Sequence, residues 1–173
     1  PTVDLNIPEE KDLIRPVQRT LIHARGCTAA KLVRIAQKNE IEVVLVQSDP
    51  DALARAVAED RAAGWTPFAV AATVGTTSTT SVDPVPAIAD ICEREGLWLH
   101  VDAAYGGTAA ILPECRHVLD GCERADSLVV NPHKWLFVPI DLSAFYTRRP
   151  EIVRSALPNC RGARPIKICR SRS

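Results

Sequence analysis

Two side chains of opposite charge, Lys134 and Asp102, each follow an apolar segment that is typical of a buried strand. Lys134 comes after residues 128–130, across an Asn-Pro-His corner, and Asp102 ends the segment 97–101. A lysine at a strand end that faces a cavity loses hydration, which lowers the pKa of its ammonium group. We predict that Lys134 is such a nucleophile; the alternative is a lysine that extends to the surface.

An acid at the carboxyl end of an α/β strand lies in the crevice where such folds bind ligands. Asp102 is predicted to occupy that position. An amine that condenses with an aldehyde and an acid that pairs with a pyridinium nitrogen are the two groups that pyridoxal 5'-phosphate requires from a protein. The pair Lys134 and Asp102 therefore indicates a site for pyridoxal phosphate.

Three motifs occur in order along the chain: Ala-Thr-Val-Gly-Thr-Thr at 72–77, His-Val-Asp-Ala-Ala-Tyr at 100–105, and Asn-Pro-His-Lys-Trp at 131–135. With them, the run from Asp49 to Leu157 resembles the group II pyridoxal-phosphate-dependent amino-acid decarboxylases, which include the aromatic-L-amino-acid and tyrosine decarboxylases. The resemblance implies part of the large domain of a fold-type I enzyme, an α/β fold with a mostly parallel sheet and flanking helices.

The resemblance also implies a role for each matching residue near the cofactor. Lys134 matches the catalytic lysine that forms the Schiff base. Asp102 matches the acid that keeps the pyridinium nitrogen protonated, and Ala104 matches the small residue packed under the ring.

Three further cofactor contacts are implied by the same motifs. Asn131 and His133 match positions that donate hydrogen bonds to the cofactor phosphate. Thr77 matches a hydroxyl at the ring edge, with Thr76 as an alternative. His100 and Tyr105 are expected in the core or behind the site.

The implied reaction is the α-decarboxylation of an L-amino acid, a carboxy-lyase reaction, and the implied assembly is a homodimer. Which amino acid is the substrate stays open. A second interpretation is a non-catalytic pyridoxal-phosphate-binding or interaction remnant of such an enzyme. A nucleotide-binding α/β domain is a weaker option, because no Gly-x-Gly-x-x-Gly follows a strand.

Strands and helices are predicted to alternate, which favours a parallel sheet. Asp49 is positioned to cap one helix, and Gly64 and Gly96 are positioned to end two. In chain order we predict helix 28–39, strand 41–46, helix 51–63, strand 67–74, helix 83–96, strand 97–101, a short helix 116–119, strand 127–130, strand 140–147 and helix 150–157.

These predictions divide the chain into an N-terminal segment (1–27) without clear elements, a partial cofactor-binding large domain (28–157) and a tail (158–173). The tail is expected to be disordered because its Arg, Pro, Cys and Ser residues show no periodicity. We hypothesise that the chain is a truncated fragment of a longer enzyme.

The composition gives no support for several classes of partner. Lys plus Arg and Asp plus Glu number 21 each among 173 residues, so net charge gives no reason to expect nucleic acid or an anionic membrane as a partner. The six cysteines include no C-x-x-C pair, and the spacing of Cys115, His117 and Cys122 fits no standard zinc pattern. We therefore expect free thiols, no metal and a cytoplasmic location.

Overall fold

The computed structural model describes residues 49–156 together with residues 19–23, 34, 38 and 42–46. Within these ranges the strands form a four-stranded sheet in the order β3-β4-β5-β6 and a separate parallel pair, β1 with β2. The neighbours β3, β4 and β5 are parallel, and β6 runs antiparallel to β5. The strands are β1 (Arg19–His23), β2 (Glu42–Val46), β3 (Ala69–Thr73), β4 (Trp98–Asp102), β5 (Ser127–Val130) and β6 (Ala144–Thr147).

Besides the helical residues 34 and 38, the described ranges contain four α-helices and three 3₁₀ segments between and after these strands. The α-helices are α1 (Pro50–Ala62), α2 (Val85–Glu95), α3 (Pro132–Trp135) and α4 (Pro150–Ala156), and the 3₁₀ segments are Gly106–Ile111, Pro113–Leu119 and Cys122–Arg124. The crossovers that contain α2 and the 3₁₀ segments carry the chain back to the amino end of the sheet, as parallel pairing requires.

The ends of α1 and α2 follow from local sequence. The Asp49 carboxylate accepts a hydrogen bond from the Asp51 amide at 3.0 Å, which caps α1 as predicted. Gly64 just after α1 has φ +85°, and Gly96 just after α2 has φ +66°. Both lie in the left-handed region, which glycine enters at the least cost.

One face of the four-stranded sheet is covered by α1 and α2, and this is where the core lies. Alternate residues of β3 and β4 are buried against the helices, among them Val70, Leu99 and Val101. The opposite face of the same strands is only half-buried, and it carries Trp98, His100 and Asp102. The period of two that separates these faces therefore also separates core residues from residues available to a ligand or to other protein segments.

The structure corrects two of the predicted strands and adds one that was not predicted. The strand predicted at 140–147 begins only at Ala144, because its partner β5 ends at Val130 and the chain then turns into α3 at Pro132. Residues 128–130 are half-buried, not fully buried, since β6 beside them is largely exposed. The strand β1 at 19–23 was not predicted, and it lies within the segment left without clear elements.

The predictions for the chain ends lie largely outside the described residues. Within the predicted helix 28–39, residues 34 and 38 are helical. The tail predicted for 158–173 also lies outside the described residues. The predicted strand 41–46 is confirmed as β2, and the helices predicted at 51–63 and 83–96 are confirmed as α1 and α2.

Candidate active site

The three motifs meet at one edge of the sheet, where β3, β4 and β5 have their carboxyl ends. Backbone hydrogen bonds join the segments that follow these strands. The Val74 amide donates to the Asp102 carbonyl at 2.9 Å, and the Asn131 amide donates to the Ala104 carbonyl at 3.2 Å. The strand ends that carry the predicted acid and precede the predicted lysine are thus fixed relative to each other.

Two glycines allow the first motif to approach the second. The Gly106 amide donates to the Val74 carbonyl at 3.2 Å, and the backbones of Gly75 and Gly106 are in direct contact. A Cβ added at Gly106 would lie 2.7 Å from the Val74 oxygen and 2.8 Å from the Gly75 Cα. No larger residue fits here without moving the loop that follows β3.

Hydrogen bonds within the loop after β3 distinguish Thr77 from Thr76. The Thr76 hydroxyl accepts from the Ser81 amide at 3.0 Å and lies 2.7 Å from the Thr79 hydroxyl. Thr77 is exposed, and its side chain has no hydrogen bond within the part of the chain that the structure describes. The Thr77 hydroxyl is therefore available to a ligand, whereas the Thr76 hydroxyl holds the loop together.

Asp102 lies at the end of β4, and one of its carboxylate oxygens is hydrogen-bonded. Its Oδ1 accepts a hydrogen bond from the Ala104 amide at 3.0 Å, which fixes the side chain. In the described ranges Oδ2 has no hydrogen-bond partner, and Asp102 forms no ion pair. Ala104 itself is 8% exposed, so the backbone beside the carboxylate is well packed.

Lys134 lies in the one-turn helix α3, beyond the end of β5, and its side chain is exposed. The prediction of a desolvated lysine in a cavity is therefore wrong for the described structure. Asn131-Pro132 redirects the chain, because proline has no amide to continue the ladder, and the following residues turn outward. Lys134 forms no ion pair with any residue in the described ranges.

Asn131 and His133 are each held by the segment that leads into β6. The Asn131 Oδ1 accepts from the Ser143 hydroxyl at 2.8 Å, and the amide NH₂ of Asn131 donates to no other group in the described ranges. The His133 Nδ1 donates to the Leu142 carbonyl at 2.6 Å, because a carbonyl can only accept. The Nε2 atom of His133 can then donate only when the ring is protonated.

One aromatic contact connects two of the motifs, and a second joins His100 to β6. Tyr105 and Trp135 meet edge to face with ring centroids 5.2 Å apart. His100 stacks on Phe145 at 6.3 Å, and burial lowers its pKa although nearby Asp102 acts in the opposite direction. His100 thus lies on the same face of β4 as Asp102, and its predicted place in the core or behind the site stays a prediction.

Sequence reasoning missed Ser127, Leu142 and Ser143, which hold His100, His133 and Asn131. Leu142 acts through its backbone, so its side chain could give no signal. A serine that opens an apolar strand, as Ser127 does, is the one signal that the sequence offered.

A cleft of about 500 Å³ lies at the opposite, amino edge of the sheet, with Phe68, Trp98 and Arg148 among its lining residues. It is far from the three motifs. No group of His, Cys, Asp or Glu side chains in the described ranges could hold a metal ion. None of the described helices is long and apolar enough to cross a membrane.

The sheet is mostly parallel, helices flank it, and its carboxyl edge is accessible to a ligand. Comparisons with known proteins show that this is part of the large domain of a fold-type I pyridoxal-phosphate enzyme. Residues 14–161 match the family described as "Pyridoxal-dependent decarboxylase conserved domain". The chain belongs to this family, which confirms the prediction from the three motifs.

Similar proteins include a tryptophan decarboxylase of Camptotheca acuminata, 44% identical over 78% of this chain and 28% of its own length. An aromatic-L-amino-acid decarboxylase of Cavia porcellus is 47% identical over 77% of this chain and 29% of its own length. The crystal structure of Catharanthus roseus tryptophan decarboxylase in complex with L-tryptophan superimposes with a TM-score of 0.72 and 36% identity, covering 82% of this chain and 32% of that one. The chain thus spans less than a third of the length of these relatives.

Proposed function

We propose that this chain contributes the cofactor-holding part of an enzyme that uses pyridoxal 5'-phosphate to remove the α-carboxylate of an L-amino acid. Lys134 is the catalytic residue, and Asp102, Ala104, Asn131, His133 and Thr77 are the other cofactor contacts. The observation that carries the proposal is the convergence of the three motifs at the carboxyl edge of one sheet.

The free donors and acceptors at this edge suit the cofactor. Asp102 keeps one carboxylate oxygen for a cationic N–H, and Ala104 adds little bulk beside it. Three side chains have N–H or O–H donors that bond to no acceptor in the described ranges: Lys134, Thr77 and the amide of Asn131. One acceptor for a pyridinium and several donors for anionic oxygens are what a pyridine ring with a phosphate requires.

When bound, pyridoxal phosphate supplies an electron sink for the carbon that loses carbon dioxide. The protein's residues supply position and charge. Lys134 would hold the cofactor through a bond from its amine to the aldehyde carbon, with the aldehyde oxygen leaving as water, and the Asp102 carboxylate would hold a proton at the ring nitrogen. The side chains of Asn131 and His133 would hold the phosphate, and the Thr77 hydroxyl would contact the edge of the ring.

We extend the proposal to substrate, assembly and location. Names of the relatives favour an aromatic L-amino acid as the substrate. A homodimer is supported by a run of exposed apolar side chains beyond Lys134, in which Phe137 and Ile140 are 104% and 86% exposed. A cytoplasmic location is supported by free thiols at Cys92, Cys115 and Cys122.

The test is to add pyridoxal phosphate to the purified 173-residue chain and to measure both the visible absorbance band of the adduct and amine release from L-tryptophan. Lys134→Ala should abolish the band, whereas Lys38→Ala, at another exposed lysine, should leave it unchanged. A band that survives Lys134→Ala would refute the assignment.

A second candidate is a non-catalytic pyridoxal-phosphate-binding remnant, and the exposure of Lys134 favours it. A reactive amine that water reaches freely supports binding more readily than turnover, because water competes for every charged intermediate. A Lys134-dependent band without amine release would select this candidate.

A further inference from the structure

The side chains of Trp98, Ser127 and His100 form a short hydrogen-bonded chain. The Trp98 Nε1–H donates to the Ser127 hydroxyl oxygen at 2.9 Å. That oxygen also lies 2.8 Å from the Nδ1 atom of His100. Ser127 is 4% exposed, so water cannot readily replace either partner.

The donor inventory leaves two directions for the bond between Ser127 and His100. An indole N–H can only donate, so Ser127 accepts from Trp98 and keeps its own proton and a second lone pair for His100 Nδ1. Donation of that proton to Nδ1 satisfies both buried groups and puts the hydrogen of the neutral ring on Nε2. Protonation of Nδ1 would reverse the bond and leave a buried hydroxyl proton without this acceptor.

His100 and Asp102 lie two residues apart on the same face of β4, so their Cα atoms are about 7 Å apart. The neighbours of His100 across the sheet and in its stacking contact are uncharged: Ala71 on β3, Ser127 on β5 and Phe145 on β6. Asp102 is the charged group that acts on the ring in the described ranges. A positive His100 would therefore compete for the charge of Asp102.

We propose that Trp98 and Ser127 hold His100 neutral, with its proton on Nε2, so that the Asp102 carboxylate is reserved for the cationic ring nitrogen of a bound cofactor. Under this proposal His100 and Ser127 are positioning residues. The last step rests on the proposed function, while the protonation state of His100 does not.

The first test is ¹⁵N NMR of the histidine rings in the 173-residue chain, with the His100 signals assigned from His100→Gln. We expect Nδ1 unprotonated and Nε2 protonated at pH 7. Ser127→Ala should raise the midpoint of the His100 titration by about one unit, a tenfold change in its protonation equilibrium. Ser127→Thr, which keeps the hydroxyl, should restore the wild-type midpoint, and Asp102→Asn should lower it.

Two results would overturn the proposal even if the cofactor binds. One is a His100 ring that is protonated at Nδ1 at pH 7. The other is a His100 titration midpoint that is the same in Ser127→Ala as in the wild type. His117→Gln, at an exposed histidine far from β4, is the matched control and should leave His100 unchanged.

The second test is the pyridoxal-phosphate affinity of wild type and Ser127→Ala between pH 8 and pH 6. Affinity should fall more steeply with acid in Ser127→Ala, by up to about tenfold for a one-unit shift. Parallel pH profiles would overturn the link to the cofactor. If the wild type bound no pyridoxal phosphate at any pH, both the proposed function and the link to the cofactor would be refuted. The NMR result would still decide the protonation state of the His100 ring.

Discussion

Two aspartates at opposite edges of the four-stranded sheet, Asp126 and Asp102, differ in how many partners they have. At the amino edge, Asp126 is 8% exposed and accepts from the Leu99 amide at 2.9 Å and from Arg149 at 3.0 Å. Arg124 there bonds Glu93 and Asp90, each at 2.7 Å, and its guanidinium lowers the pKa of Glu93. At the carboxyl edge, Asp102 has one backbone partner and the exposed Lys134 has no ion pair in the described ranges.

This difference indicates that Asp126 stabilises the fold, whereas Asp102 is available to bind a ligand. At the amino edge the buried Asp126 joins β4, through the Leu99 amide, to Arg149, which follows β6. Unmatched groups at the carboxyl edge contribute little to stability and are free to bind. Substitution of Asp126 should therefore change stability, and substitution of Asp102 should change cofactor binding.

The largest expected effect on stability is that of Asp126→Ala. It leaves the buried Leu99 amide without an acceptor, and we expect a loss of about 3 kcal/mol in the free energy of unfolding. Arg149 adds little to this figure because it is half-exposed. Chemical denaturation of the variant measures the loss.

Two variants sharpen this contrast. Asp90→Ala removes an exposed partner of Arg124 and should cost no more than about 0.5 kcal/mol. Asp102→Asn should also leave stability nearly unchanged while weakening pyridoxal-phosphate binding. If Asp102→Asn lowered the free energy of unfolding as much as Asp126→Ala does, the proposed difference between these two aspartates would be wrong.

The next effect concerns the contact between Gly75 and Gly106. Gly106→Ala places a Cβ 2.7 Å from the Val74 oxygen, so we expect a loss of about 2 kcal/mol and weaker cofactor binding as the Thr77 loop moves. Gly64→Ala is the control, because its Cβ meets open space and only the φ of +85° is unfavourable, by about 1 kcal/mol. Equal losses of stability, with unchanged cofactor binding in both variants, would contradict the positioning role.

A smaller effect is expected from acid. Because the pKa of His100 is lowered on folding, the unfolded chain binds more protons than the folded chain below about pH 6.5. Stability should therefore fall as pH drops from about 6.5 through the lowered value. In His100→Gln this part of the slope should be missing. Unfolding free energies measured at pH 7.5 and at lower pH test it, and identical slopes would argue against a buried neutral ring.

The smallest effect is expected at the thiols. Burial raises the pKa of Cys92 to about 12 and that of Cys122 to about 11, with nearby carboxylates adding to both shifts. Almost no thiolate exists at pH 8, so both residues should react slowly with iodoacetamide in the native chain and quickly after unfolding. Peptide mapping by mass spectrometry measures this. Rapid native labelling of Cys92 would show that α2 is not packed as described.

The sequence was sufficient for features that depend on local pattern. The caps of α1 and α2 could be predicted from Asp49, Gly64 and Gly96, and the meeting of the motifs from the rule for parallel strands. The family of the chain could be inferred from the three motifs, because the cofactor's chemistry requires particular residue types at these positions.

Features that depend on tertiary partners could not be predicted. The start of β6 at Ala144 depends on where β5 ends, and the exposure of Lys134 depends on the turn at Pro132. The bonds from Leu142 and Ser143 to His133 and Asn131 depend on a return of the chain that local periodicity does not encode. Ser127 was missed because its role arises only when β4 and β5 pair.

The most direct test of the central claim is to reduce the pyridoxal-phosphate adduct of the chain with borohydride and to map the label. The chain has lysines at positions 11, 31, 38, 134 and 167, all of which could react with an aldehyde in free solution. The account predicts the label on Lys134 in the wild type, and a clear loss of label there in Asp102→Asn. Label spread over the other lysines, or labelling of Lys134 that does not depend on Asp102, would contradict it.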